Sequence, residues 1–302
     1  MAERGGQWAG VGFGLAAYGM WGFFPLYFRQ LGHVPPADLL ANRAAWGCVF
    51  VSAILSARRA WPGVFAAARR PGAFIRLGIA SWLVGANWLA FLWAVDQHRV
   101  MEASLGYFLT PLVNVLLGLV VLEERLRPLE WGAVVLALAA VGNELAALGS
   151  LPWISLFLGA TFGLYGLVRK QVPVDAISGL WLETLCMLPP VLIYAFWQGG
   201  QGNPVFFGFD ALTQILLALA GLFTALPLMF FAAATQRLNL ATVGMLMYIN
   251  PTLQLLTAVL LFHETVRPGR WTTFALIWVG LAIYTWSGWR GRRRSRAGSD
   301  DN

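Results

Sequence analysis

Ten apolar stretches, most about twenty residues long, follow one another from end to end of the chain. In the first half they are Trp8–Phe28, Ala37–Ala57, Leu77–Val95, Ala103–Leu122 and Trp131–Leu148. In the second they are Trp153–Val168, Ile177–Trp197, Ala211–Ala234, Leu240–Phe262 and Trp271–Gly288. A helix needs about 20 apolar residues to cross about 30 Å of hydrocarbon, so each stretch reads as a membrane-spanning helix. Of the 302 residues 58% are apolar and only 12% charged, against about 45–50% and about 25% in soluble domains. A soluble fold of this size would have almost nothing polar for its surface. That excludes a soluble enzyme, a disordered chain and a nucleic-acid module. The net charge of +7 does not change this, because the basic residues sit between apolar runs and in the segment 289–302. Short connections leave no room for a second soluble domain, and no G-x-x-x-x-G-K-[ST] loop occurs. Transport by such a chain would be secondary or passive.

An even number of spans puts both termini on one side, and the Lys/Arg bias of short loops selects the side. With the termini inside, the cytoplasmic segments hold sixteen Lys and Arg, among them Arg58, Arg59, Arg169 and Lys170, and the outer segments hold four. The expected address is the bacterial inner membrane, multi-pass, with both ends cytoplasmic and 289–302 a basic tail. Cys48 and Cys186 fall inside spans and read as small buried hydrophobes.

The chain also resembles itself at an offset of 140 residues. PLVNVLLGLVVLEERLRPLEW at 111–131 aligns without a gap on PTLQLLTAVLLFHETVRPGRW at 251–271. Pro111/Pro251, Glu124/Glu264, Arg127/Arg267, Pro128/Pro268 and Trp131/Trp271 are identical, and Asn114 meets Gln254. The expected fold is therefore all-α and integral to the membrane, with ten transmembrane helices in two five-helix repeats, 1–148 and 149–288. Five is odd, so the second repeat enters the membrane the other way up. Inverted repeats around a midplane site are a common plan of secondary transporters.

YGMWG followed by FPLYFRQL, then NRAAWG, EASLGYFLTPLVNVLLG, FGLYGLVRK and YINPTLQLL with FHE together resemble the RarD permeases. These are the chloramphenicol-sensitivity proteins in the EamA branch of the drug/metabolite transporter superfamily. The resemblance runs from Tyr18 to Trp286. It implies ten helices, cytoplasmic termini, a central cavity shared by the halves, and export of amino acids, small metabolites or amphipathic drugs.

Within the spans, charged and amide side chains are the candidates for a site, because a charge at depth is costly and faces protein or water. Arg43 and Glu183 stand 140 residues apart, the repeat offset. Arg43 could hold a carboxylate and Glu183 an amine or a proton; a structural pair is the other reading. Ser104, Tyr107, Pro111, Asn114 and Gly118 share one helical face, and Tyr248, Pro251 and Gln254 share the matching face of the ninth span. Tyr107, Asn114, Tyr248 and Gln254 are candidate cavity residues or interhelical bonds. Asn87, Trp88, Trp21 and Tyr165 are further candidates, the rings for stacking on cargo. Pro111 and Pro251 permit bends suited to gates. Glu124 and Glu264, in the recurrent E-x-x-R-P-x-x-W, read as scaffold, hinge or latch. No metal-ligand spacing and no nucleophile with a base is seen, so catalytic residues, metals and cofactors are not expected, proton coupling through Glu183 aside. The expected partners are a small solute and the bilayer, with no nucleic acid and no obligatory protein partner. A non-transporting scaffold or sensor, and less readily an intramembrane enzyme, are the rival classes.

Overall fold

The computed structural model describes residues 2–97, 99–148, 153–261, 263 and 265–297. Glu264 and the join between the repeats at 149–152 lie outside them. Among the described residues the chain is helical and has no strand. The first half runs α1 (Ala2–Gly22), α2 (Phe24–Phe28), a single tight turn at Arg29–Leu31, α3 (Pro36–Ala57), α4 (Trp61–Ala68), α5 (Pro71–Asp96), α6 (Val100–Val121) and α7 (Pro128–Leu148). The second runs α8 (Trp153–Gln171), α9 (Ala176–Gly200), α10 (Ala211–Thr235), α11 (Leu240–Met247), α12 (Ile249–Leu260) and α13 (Pro268–Ala297).

Eight segments are long and apolar enough to cross a membrane, counting the α1–α2 run and the α11–α12 run as one each. The other two of the ten expected spans, α8 and α13, have the length but less hydropathy. The last turn of α8 carries Arg169 and Lys170. The apolar run of α13 is diluted by Thr, Tyr and Trp, and the helix continues to Ala297 through residues that the sequence marks as a tail. The two-turn helix α4 was not expected from the sequence. It buries Val64 and Ala67 against the bundle and leaves Phe65 outside.

The local code differs between the halves. Helices α3 and α5 start on Pro36 and Pro71, whose fixed φ and missing N–H suit a first turn. Their repeat mates α9 and α10 start instead on aspartate caps. Asp175 Oδ1 accepts from the N–H groups of Ile177 and Ser178 at 3.1 and 3.0 Å. Asp210 Oδ1 does the same for Leu212 and Thr213 at 3.1 Å each. The two repeat-related prolines also differ. Helix α6 continues across Pro111, whereas the mate breaks at Tyr248, three residues before Pro251, into α11 and α12.

Three pairs of repeat mates pack on one another, and they run antiparallel. On α3 and α9, Ser52 Oγ accepts from Trp181 Nε1 at 2.7 Å and, toward the other end, Asp38 Oδ1 accepts from the Tyr194 hydroxyl at 2.7 Å. On α7 and α13, Arg127 meets Ser287 while Asn143 meets Gly269 and Thr273. On α6 and α11, the Tyr248 hydroxyl donates to the Phe108 carbonyl at 3.1 Å. Gly244 lies so close to α6 that a Cβ there would sit 2.7 Å from the Pro111 carbonyl oxygen. Phe108 and Tyr248 are themselves mates at the repeat offset. Two equivalent residues meet only near an axis relating the copies, so this contact marks where the pseudo-two-fold axis passes.

The largest buried cluster lies between α1, α3, α5, α8, α9 and α10 and includes Tyr18, Val51, Leu77, Tyr165, Leu180 and Phe231. The outer face of α9 is apolar: Ile193 is 71% and Phe196 88% exposed. Such a stripe suits lipid rather than water.

Candidate functional site

A small chamber opens where α3, α5, α9 and α10 meet. Arg43, Trp88 and Glu183 line it, with Thr184, Met187 and Thr224 among their neighbours. Its volume is about 10 Å³, room for roughly one water.

Arg43 is half-buried on α3. Its Nε donates to Thr224 Oγ1 of α10 at 2.8 Å, and that hydroxyl donates to the Ala220 carbonyl at 2.7 Å. The guanidinium lies beside two rings, with its carbon 5.1 Å from the centre of Phe28 and 4.8 Å from that of Trp88. Among the described residues no carboxylate comes within 4.0 Å of it. Asp38, one and a half turns earlier on α3, is engaged by the Tyr194 hydroxyl instead.

Glu183 faces the same chamber and has a partner of its own. Its Oε1 is 3.2 Å from Arg169 Nη1, and its Oε2 accepts from the Tyr165 hydroxyl at 3.1 Å. Arg169 is 0% and Glu183 1% exposed, so this is a charge pair sealed in protein. It is incompletely bonded: Arg169 Nε and Nη1, Glu183 Oε1 and the neighbouring Ser178 hydroxyl lack hydrogen-bond partners among the described residues. The pair needs Gly179, one turn before Glu183, because a Cβ there would sit 2.1 Å from Arg169 Nη1. The placement of Arg169 in a cytoplasmic connection is thus corrected. It ends α8 and turns inward to meet the carboxylate, the largest side chain among the fully buried ones. A signal for it existed. A carboxylate within a span requires a cation, and Arg169–Lys170 at the preceding helix end is the nearest source in sequence.

The other candidates tie helices together. Asn87 Nδ2 donates from α5 to the Leu158 carbonyl and Thr161 Oγ1 of α8, at 2.8 and 2.9 Å. Trp21 packs in an aromatic cluster with Tyr18, Phe162 and Phe231, and Tyr165 stacks on Phe231. Tyr107 leans on Phe91 with ring centres 6.1 Å apart. Gln254 donates to Asn250 one turn back at 2.9 Å, and Tyr248 sits on the axis as above. Asn114 is fully buried, and neither atom of its amide finds a partner among the described residues.

Glu124 does more than turn the chain. Its carboxylate leaves the first repeat and caps α11 of the second, accepting from Leu240 N at 2.7 Å and Ala241 N at 3.1 Å. Lys170 lies 3.7 Å from it and donates to the carbonyls of Thr235, at 3.3 Å, and Leu238, at the end of α10. An anion at a helix N-terminus and a cation at a C-terminus both complement the helix dipole. The α10–α11 turn is thereby clamped from both sides. This clamp lies at the end of the bundle where Gly10 of α1 abuts Arg237 and Leu238 and where Arg127 meets Ser287 of α13.

Comparison with known proteins agrees with this architecture. Residues 8–142 and 151–286 each match the EamA-like transporter family. The chain is 44% identical to an uncharacterized transporter of Pseudomonas aeruginosa, over 93% of this chain and 94% of that one. It is 44% identical to Protein RarD of Salmonella typhimurium, over 91% and 94%. It is 33% identical to the Chloramphenicol-sensitive protein RarD of Pseudomonas aeruginosa, over 96% and 98%. A solved structure described as "Crystal structure of protein" superposes with a TM-score of 0.73 at 19% identity, covering 94% of this chain and 99% of that one. That last likeness is one of fold.

Proposed function

Because the chain belongs to the EamA-like transporter family, we propose that it is a secondary permease of the bacterial inner membrane that exports small organic metabolites, amino acids or amphipathic drugs. Both termini are cytoplasmic in this reading, and the chamber between the repeats is the transport site. The observation that carries it is the shared chamber of the repeat mates Arg43 and Glu183, beside the crossing of antiparallel helix pairs. One chamber flanked by inverted copies gives each face of the membrane an equivalent gate, the requirement for alternating access. In this reading the small chamber is one stage of that cycle, and the Glu124–Lys170 clamp on the α10–α11 turn serves as the gate on the terminus-bearing face. The names of the relatives, transporters among them, favour a carrier over an enzyme.

The test does not need the cargo in advance. Culture media of cells making the wild-type protein, Arg43→Ala or neither are compared for small molecules. Compounds that accumulate outside only with the wild type, and that cross sealed liposomes holding the purified protein, support the reading. Identical media, with no movement of cell extract components into such liposomes, would overturn it in favour of a non-transporting membrane protein. Repeating the liposome measurement with and without a pH gradient reads out proton coupling.

A further inference from the structure

We propose that the chamber selects a monoanion, a carboxylate or similarly planar acid on a small apolar body, and binds its acid group at the free edge of Arg43. The inference rests on the transport reading above and narrows it.

Charge balance comes first. The Glu183 carboxylate, the other ion of the chamber, is neutralised by Arg169 and hydrogen-bonded by Tyr165. The nearest acid on the same helix, Asp38, is held by Tyr194. The Arg43–Glu183–Arg169 group thus carries one net positive charge, and it sits on Arg43. A cation at depth without a counterion is costly, and a bound acid supplies the counterion. A zwitterion gains less, because the chamber's one carboxylate, Glu183, already has its charge balanced by Arg169, and the ammonium must lose its water.

Geometry narrows the anion. Thr224 occupies Nε, and the rings of Phe28 and Trp88 stand beside the guanidinium. The two terminal nitrogens have no hydrogen-bond partner among the described residues, and the residue is half-buried rather than sealed. What is left is an unbonded fork of parallel N–H donors, which matches the two oxygens of a carboxylate. Val84, Leu180, Met187 and Leu228 line the same chamber and suit an apolar body.

The experiment uses four probes of one shape: 3-phenylpropanoate (anion), 3-phenylpropanamide (neutral), 2-phenylethylamine (cation) and phenylalanine (zwitterion). Binding to the full-length protein in detergent is measured by calorimetry, and uptake is measured in sealed liposomes. The anion is expected to bind about tenfold to a hundredfold more tightly than the amide, as loss of a charge-assisted fork implies. The amine and phenylalanine should bind no better than the amide. In Arg43→Gln the preference for acid over amide should vanish, while Arg43→Lys keeps part of it; both variants are checked for a monodisperse elution profile first. Equal or tighter binding of the amide, amine or zwitterion overturns the proposal. So does a preference for acid that survives Arg43→Gln, and so does an absence of binding by all four. Failure of the two readings is distinguishable. Selective binding of the acid without uptake leaves the anion site and removes the carrier, whereas uptake of the amine or zwitterion instead leaves the carrier and removes the anion class.

Discussion

Arg43 and Glu183 occupy equivalent positions in two copies of one design, yet their circumstances are opposite. Glu183 is sealed against an arginine and a tyrosine of its own repeat. Among the described residues Arg43 is hydrogen-bonded to a threonine hydroxyl from across the interface and has two rings beside it. The charge reversal between the mates forces the difference. In the second repeat a cation at the end of α8 can pair with the acid on α9. The first repeat has Arg29 near the corresponding place and Arg43 where the acid would be, so the same pairing would set two cations together. The copies share a backbone plan, and the loss of an internal pair in one of them leaves a charge available for something that is not protein. The prolines teach the same lesson in backbone terms. Pro111 lies within a continuous α6, and Pro251 follows a break.

The largest effect that could break this comparison is on the sealed pair. Glu183→Ala or Arg169→Ala leaves one buried ion alone and should cost about 3–5 kcal/mol, read as loss of folded protein in thermal or denaturant unfolding. The double variant Arg169→Met/Glu183→Leu should recover most of that. If each single variant unfolds like the wild type, the pair does not hold the second repeat together. Next comes Gly179→Ala, which pushes a methyl group into the Arg169 guanidinium and should cost about 1–3 kcal/mol as overpacking. Gly78, where an added methyl group would meet nothing within 4 Å, is the control; its alanine variant should be no less stable than the wild type. Glu124→Ala removes two bonds to the α11 N-terminus and should cost about 1–2 kcal/mol. Hydrogen exchange at the Leu240 and Ala241 amides should quicken, with far slower amides of α6 unchanged as the reference. The smallest stability effect belongs to Arg43→Gln, expected within about 1 kcal/mol of the wild type, because what it removes is one hydrogen bond and ring contacts. Flux should nevertheless fall to background. A large loss of stability there, with flux retained by the surviving protein, would reverse the roles assigned to the two mates.

Much of the fold was legible because it follows from counting. Apolar stretches of spanning length and the offset of 140 residues are local or periodic signals. The short helix α4 was missed because two turns of Trp, Pro, Gly, Val, Phe and Ala are too few for a period to emerge. Candidate site residues stand out in the sequence as exceptions, charges where charges are expensive, which is how Arg43 and Glu183 were singled out. Arg169 did not, because at a helix end an arginine reads as solvated, and only the third dimension shows it folding back over Gly179. Thr224 and Phe28 were invisible for a related reason: an ordinary threonine and an ordinary phenylalanine acquire a role from the guanidinium that another helix brings to them. The amide stripe on α6 and α11–α12 followed from spacing, whereas which of its members face a chamber and which bond a neighbouring helix depends on rotations that spacing does not encode.

The bond from Tyr248 to the Phe108 carbonyl carries a consequence for how such a molecule can vary. If the two halves were separate, identical chains, the residue at this crossing would face its own twin. A tyrosine would then bring two hydroxyls to two carbonyls in one tight space, and a phenylalanine would bring none. Joining the halves in one chain lifts that constraint: position 248 can donate because position 108 does not compete. Each such unequal choice near the axis ties one half to the other, so a half exchanged for a second copy of its mate would lose its fit at the centre of the molecule before it lost anything at the rim.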